Sequence, residues 1–203
     1  MKKFKKAMLL VLCAVLLVAG SVMGTLAYLK AQTGVVKNTF TVGNVAITLD
    51  EAKVDEYGVP VVGADRVAPA VDANGDVIPA NTYKLIPGHT YTKDPKVTVT
   101  AGSEECWVFV KLVNGLGTDA AFNVDSTKWD VISTNGNVTI YAHKTTLAAG
   151  AWVNLFTTFT FSKTADPASY KNASIDVTAY AVQADGFTTA EAAWAAAKTD
   201  WNF

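Results

Sequence analysis

Cys106-Trp107-Val108-Phe109-Val110-Lys111-Leu112-Val113 decides how this 203-residue chain is read. Branched and aromatic side chains dominate it, and these suit a pleated strand. At period two, Trp107 and Phe109 share one face while Val108, Val110 and Leu112 share the other, with Cys106 in phase with them. A strand that is apolar on both sides needs a layer over each. This one is therefore expected at the centre of a layered β-domain, with Cys106 as a small buried apolar residue.

Working outward, the same alternation recurs. Val97-Thr-Val-Thr100 precedes the central strand, and Ala101 to Glu105 form a polar turn between them. Leu85-Ile-Pro-Gly-His-Thr-Tyr91 places a turn at Pro87-Gly88, with His89 as a solvated turn residue. Downstream, Phe122-Asn-Val suggests an edge. Trp129-Asp-Val-Ile, Val138-Thr-Ile-Tyr-Ala, Trp152 through Phe161, and Ser174 through Val182 each predict a strand. Turns fall at Asn135-Gly-Asn, Ala148-Ala-Gly and Ala165-Asp-Pro. Many short strands without βαβ alternation predict an all-β, two-sheet, jelly-roll-like sandwich.

The tail changes period. Thr188-Thr-Ala-Glu191 fits a capping box, so a short C-terminal helix is expected over 188–200. Trp194 and Trp201 lie seven apart, on one helical face. That face serves either as a lid on the sandwich or as a contact surface for another subunit.

Residues 51–81 break the strand rhythm with Pro60, Pro69, Pro79, Gly58, Gly63 and Gly75. They predict a surface excursion holding a small hairpin at Asp72-Ala-Asn-Gly-Asp76. An Asp/Asn/Gly loop is also the ligand style of calcium, but the twelfth position from Asp72 is Tyr83 where a bidentate Glu belongs. A hydrogen-bonded turn with Asn74-Gly75 at its tip accounts for the same residues. No metal site is assigned.

The N-terminus carries Lys2, Lys3, Lys5 and Lys6, then an apolar run from Ala7 to Val18, then small residues to Thr25-Leu-Ala27. That order is a secretory signal, a helix in the precursor, expected over residues 1–27 with cleavage between Ala27 and Tyr28. Left uncleaved, the stretch from Ala7 to Leu29 would reach the roughly 20 residues of a membrane anchor, with the domain outside. Cys13 does not make a lipoprotein signal, because Leu12 stands where a small residue is needed. Cleavage removes four of the 17 Lys and Arg and none of the 18 Asp and Glu, leaving 13 against 18, a formal charge of −5. A mildly acidic chain without a basic cluster argues against nucleic acid or anionic lipid as partner. Cys106 alone survives, so no internal disulfide is expected.

Catalytic patterns are sparse. His89 and His143 lie 54 residues apart, and there is no His-Glu-x-x-His, Gly-x-Ser-x-Gly or Gly-rich phosphate loop. Neither a catalytic residue nor a cofactor is assigned. Asn137-Val-Thr and Asn172-Ala-Ser match glycosylation triplets.

Five segments in order resemble the TasA/camelysin family of exported proteins of Gram-positive bacteria. They are Gly24-Thr-Leu-Ala-Tyr-Leu29, Asn38-Thr-Phe-Thr-Val-Gly-Asn-Val-Ala-Ile-Thr-Leu-Asp-Glu51, the turns Leu85-Ile-Pro-Gly88 and Lys93-Asp-Pro95, and Tyr180-Ala-Val-Gln-Ala-Asp-Gly-Phe187. The resemblance spans most of the chain apart from 51–81. It implies a leader cut by a dedicated signal peptidase (of the signal-peptidase-W type) and a jelly-roll domain over 38–203. It further implies secretion to the cell surface or matrix, and homo-oligomeric biofilm-matrix fibres. The mature N-terminal segment, Tyr28 to Lys37, would be a mobile strand donated to a neighbouring subunit. Tyr28 and Leu29 would open that strand, and Val35 and Val36 would be its apolar contacts. The camelysin branch is classed as metallo-endopeptidase, a reading for which this chain offers no zinc motif. A surface adhesion or carbohydrate-binding module using exposed Trp and Tyr is the remaining alternative.

Overall fold

A computed structural model describes residues 44–74 and 77–199. The leader, the Ala27–Tyr28 junction, the segment carrying Leu29, Val35 and Val36, and Trp201 all lie outside the described residues. Among the described residues the fold is all-β and sandwich-like, with one short α-helix.

The first layer is a four-stranded antiparallel sheet. Its order is β12 (Ile175–Gln183), β6 (Cys106–Asn114), β9 (Val138–His143) and β8 (Trp129–Asn135). The expected central strand is β6, paired on both sides and buried on both faces. Strands β8 and β9 form the hairpin at Asn135-Gly-Asn, where Gly136 takes φ +59°, the left-handed conformation such a tight turn requires.

The second layer is an interrupted ribbon. Strands β4 (Thr90–Thr92) and β5 (Lys96–Val99) run consecutively on one side, β11 (Thr158–Phe161) and β10 (Trp152–Asn154) on the other. Strand β1 (Ile47–Asp50) flanks β5, and β7 (Ala120–Phe122) flanks β11. A single strand over Trp152–Phe161 is thus corrected to two. Leu155 and Phe156 are adjacent yet both pack into the one core cluster between the layers, whereas neighbours on a straight strand face opposite ways. The backbone bends there, and the facing strand bends at Lys93-Asp94-Pro95. Hydrogen bonds from Lys93 N–H to Thr157 O (3.1 Å) and from Leu155 N–H to Pro95 O (3.4 Å) carry the ladder across the break. The edge expected at Phe122-Asn-Val is shifted back to Ala120–Phe122.

Between the layers, Val97 and Val99 of β5 pack against Val108, Val110 and Leu112 of β6, with Leu155, Phe156 and Trp129 closing the sides. Each such large side chain removed from water contributes roughly 1.5–3 kcal/mol. Trp129 Nε1 is satisfied by Asn154 O at 3.0 Å. A second cluster fills one end of the ribbon, where Tyr91 stacks on Phe159 at 4.9 Å between ring centres. The Tyr91 hydroxyl donates to Lys84 O and accepts from Ile86 N–H, both at 2.7 Å, so its burial leaves no polar group unpaired.

The other face of β6 is covered by α1 (Ala190–Ala197). Trp194 lies against Phe109, ring centres 5.4 Å apart, so this Trp serves as a lid. The capping residue is Thr189 in place of Thr188: its hydroxyl accepts from Ala192 N–H at 3.2 Å. That shift leaves Glu191 one place short of the reciprocal position, and the helix is shorter than 188–200.

Candidate assembly surface

Strand β6 has partners on both sides, but β12 pairs only with β6 and β1 pairs only with β5 among the described residues. These two edges belong to opposite layers, and their Cα atoms approach within 8 Å without forming a ladder. Burial follows the same asymmetry. Val97, Val99, Val108 and Val110, one strand further in, are fully buried. Ile47 and Leu49 of β1, and Ile175, Val177, Ala179 and Ala181 of β12, face the same core yet stay only partly buried. Among the described residues, one flank of the sandwich therefore offers two rows of backbone N–H and C=O groups and a partly buried apolar seam. Such an edge is a template for an added strand. Nine residues make β12 as long as β6.

The C-terminal end of β1, at Asp50-Glu51, is anchored by a charged knot that ties the 51–81 segment to the ribbon. Glu51 and Lys93, each buried, pair at 2.7 Å. Asn81 Nδ2 donates to Glu51 Oε1 (3.0 Å) and Ala52 O (2.9 Å), while its Oδ1 accepts from Val54 N–H (3.0 Å). Arg66 clamps Asp50 and, at 2.8 Å, Asp94; its second terminal nitrogen donates to the Asp94 carbonyl at 3.0 Å. Burial opposes the Arg66 charge, but the hydrogen bonds and fields of Asp94 and Asp50 outweigh it and raise its pKa. Burial, with the charges of Glu51 and Asp94, likewise raises the Tyr83 phenol.

These contacts correct the picture of a plain surface excursion. Its base is interior: Val54 is buried, and Glu51 pairs with Val67 through 2.9 and 2.7 Å backbone bonds. Its outer parts are exposed, including Val62 and, in the small hairpin of β2 (Ala70–Val71) with β3 (Val77–Ile78), Val71 and Ile78. Asp72 Oδ1 accepts from Asn74 N–H at 2.8 Å, the hydrogen-bonded turn expected there. His89 is also corrected from a solvated turn residue. Half-buried, it stands edge-on to Tyr91 (ring centres 4.5 Å apart), and its Nε2 lies 2.9 Å from Tyr57 O, latching the excursion to the ribbon.

Two further reactive groups lie in the interior. Cys106 is fully buried, and burial, with help from Glu105, pushes its thiol up to about 11. His143 is buried edge-on against Trp129, with Nδ1 2.8 Å from Thr145 O. No family model, curated protein or solved structure matches the chain. The charged knot escaped the sequence reading because its members are dispersed between residues 50 and 96. The pairs Asp50-Glu51 and Lys93-Asp94, each abutting a strand, were the available signal.

Proposed function

We propose that the mature chain is a secreted structural subunit of extracellular biofilm-matrix fibres, polymerising by N-terminal strand donation after its leader is removed. The observation that carries this reading is the flank between β1 and β12, where two edges with no further partner among the described residues border a partly buried apolar seam. A donated strand pairs along the nine-residue β12 edge and buries that seam. Val35 and Val36 supply apolar side chains in a segment otherwise rich in polar residues, beginning at Tyr28 and ending at Lys37.

The resemblance to exported matrix proteins supports the same reading, with a jelly-roll as the two-sheet arrangement. Donation from one copy to the next is head-to-tail, and such a contact grows into a filament when its rotation does not close. The leader delays assembly until a signal peptidase releases Tyr28, so strands are donated only outside the cell. A chain beginning at Asn38 is expected to fold and remain monomeric, whereas one beginning at Tyr28 forms fibres visible by electron microscopy. Identical behaviour of the two forms refutes the proposal.

A further inference from the structure

The outward face of the β1–β5–β10 sheet carries a feature that strand donation does not use. Trp152 on β10 is 60% exposed, the most exposed large aromatic among the described residues. Register places Trp152 opposite Thr98, and Thr98 opposite Thr48, so an indole and two hydroxyls form one row across three strands. The next row is Asn154, Lys96 and Asp50. Lys96 Nζ lies 5.9 Å from the Trp152 ring centre, a cation–π contact that steadies the indole on this face.

Charge on this platform is balanced and internally paired. Arg66 holds Asp50 and Asp94, and Lys96 Nζ lies 3.9 Å from Asp50. Two cations answer two anions, so the platform carries no net charge to draw an ionic ligand. A neutral polyol is matched well, because a hydroxyl both donates and accepts and so suits Thr, Asp, Lys and Asn together. The side chains of Asp50, Arg66, Asp94 and Lys96 are each 20–32% exposed, reachable yet fixed by their ion pairs. Ordering such groups before binding lowers the entropic cost of recognition. A flat exposed indole beside pre-set polar groups suits the apolar face of a pyranose ring with its equatorial hydroxyls.

We infer that this face, with Trp152 as stacking platform and Lys96, Asp50, Thr98 and Thr48 as hydrogen-bonding partners, binds a neutral polysaccharide. The inference is independent of strand donation, since the monomeric chain beginning at Asn38 carries the whole face.

Native affinity electrophoresis of the mature chain tests it, in gels containing hydroxyethyl cellulose, laminarin or galactomannan. At least one of these three polymers is expected to retard migration, and the retardation should persist in about 0.5 M NaCl, where exposed charge contacts are screened. Trp152→Ala should weaken it by at least about tenfold and Trp152→Phe should restore part of it, both with an unchanged circular dichroism spectrum. Retardation by none of the three polymers overturns the inference. So does retardation that Trp152→Ala leaves intact, or that salt abolishes. A Trp152→Ala chain that loses fibre formation while no polymer retards the parent assigns the indole to subunit contact instead.

Discussion

Lys93 Nζ stands 2.7 Å from Glu51 Oε2, with both side chains nine-tenths buried and 42 residues apart in sequence. The pair joins the start of the 51–81 segment to the break between β4 and β5. Removing one partner strands the other charge away from water, whereas removing both does not. Glu51→Ala or Lys93→Met alone should lower stability by about 3–5 kcal/mol in urea unfolding. The double variant should lose less than the sum of the two, and plain additivity would show that the pair is not coupled.

Gly58 and Gly63 share φ +78° but differ in surroundings. A Cβ on Gly58 would lie 2.8 Å from Tyr91 Cα, while one on Gly63 meets nothing within 4 Å. Gly63→Ala therefore carries only the left-handed penalty of about 1–2 kcal/mol. Gly58→Ala adds a clash with main chain that cannot rotate away, about 1–3 kcal/mol more. Equal losses in thermal or urea unfolding would contradict the close packing of the excursion on Tyr91.

The Cys106 thiol, held at about 11 by burial, gives stability a definite pH slope. The folded thiol keeps its proton up to that pH, while the unfolded thiol, near 9, gives it up earlier. Between pH 9 and 11 the unfolded state binds fewer protons, so stability falls as pH rises. Two pH units correspond to a loss of about 2–3 kcal/mol. The Cys106→Ala chain should show a shallower slope between about pH 8 and 9, below the range where Tyr83 and the other raised phenols add a fall of the same sign. An unchanged slope would remove Cys106 as its source.

Ala179 faces the open seam from the middle of β12 and is only partly buried. Ala179→Lys sets an inward charge on this edge, a device that blocks strand addition. The variant is expected to keep its circular dichroism spectrum and to lose fibres. Fibres of normal length from a folded Ala179→Lys chain would place the contact elsewhere.

Strand content was legible where one physical constraint dominated. Strand β6 announced itself because both of its faces are apolar, and β12 because its alternation continues through nine residues. The ribbon break was not, since Leu155-Phe156 fits a two-face buried strand as well as a bend. Bends depend on the facing strand, here Pro95, which lies some 60 residues away. The capping residue slipped by one because Thr188 and Thr189 offer the same hydroxyl. The open flank was invisible for a different reason: which strand ends a sheet follows from pairing order, and no local pattern encodes that. Dispersed charges such as Glu51, Arg66 and Lys93 read as solvated until the fold brings them together.

The central claim is that the segment from Tyr28 to Lys37 of one copy lies against β12 of another. Val36→Cys and Val177→Cys chains, distinguished by size tags and with Cys106 too buried to compete, can be mixed, assembled and oxidised. A disulfide-linked heterodimer on a non-reducing gel is the predicted result, with none formed when the exposed Val131 of β8 carries the cysteine in place of Val177. Fibres that form without this cross-link, or a chain carrying both substitutions that links only to itself, would contradict the account.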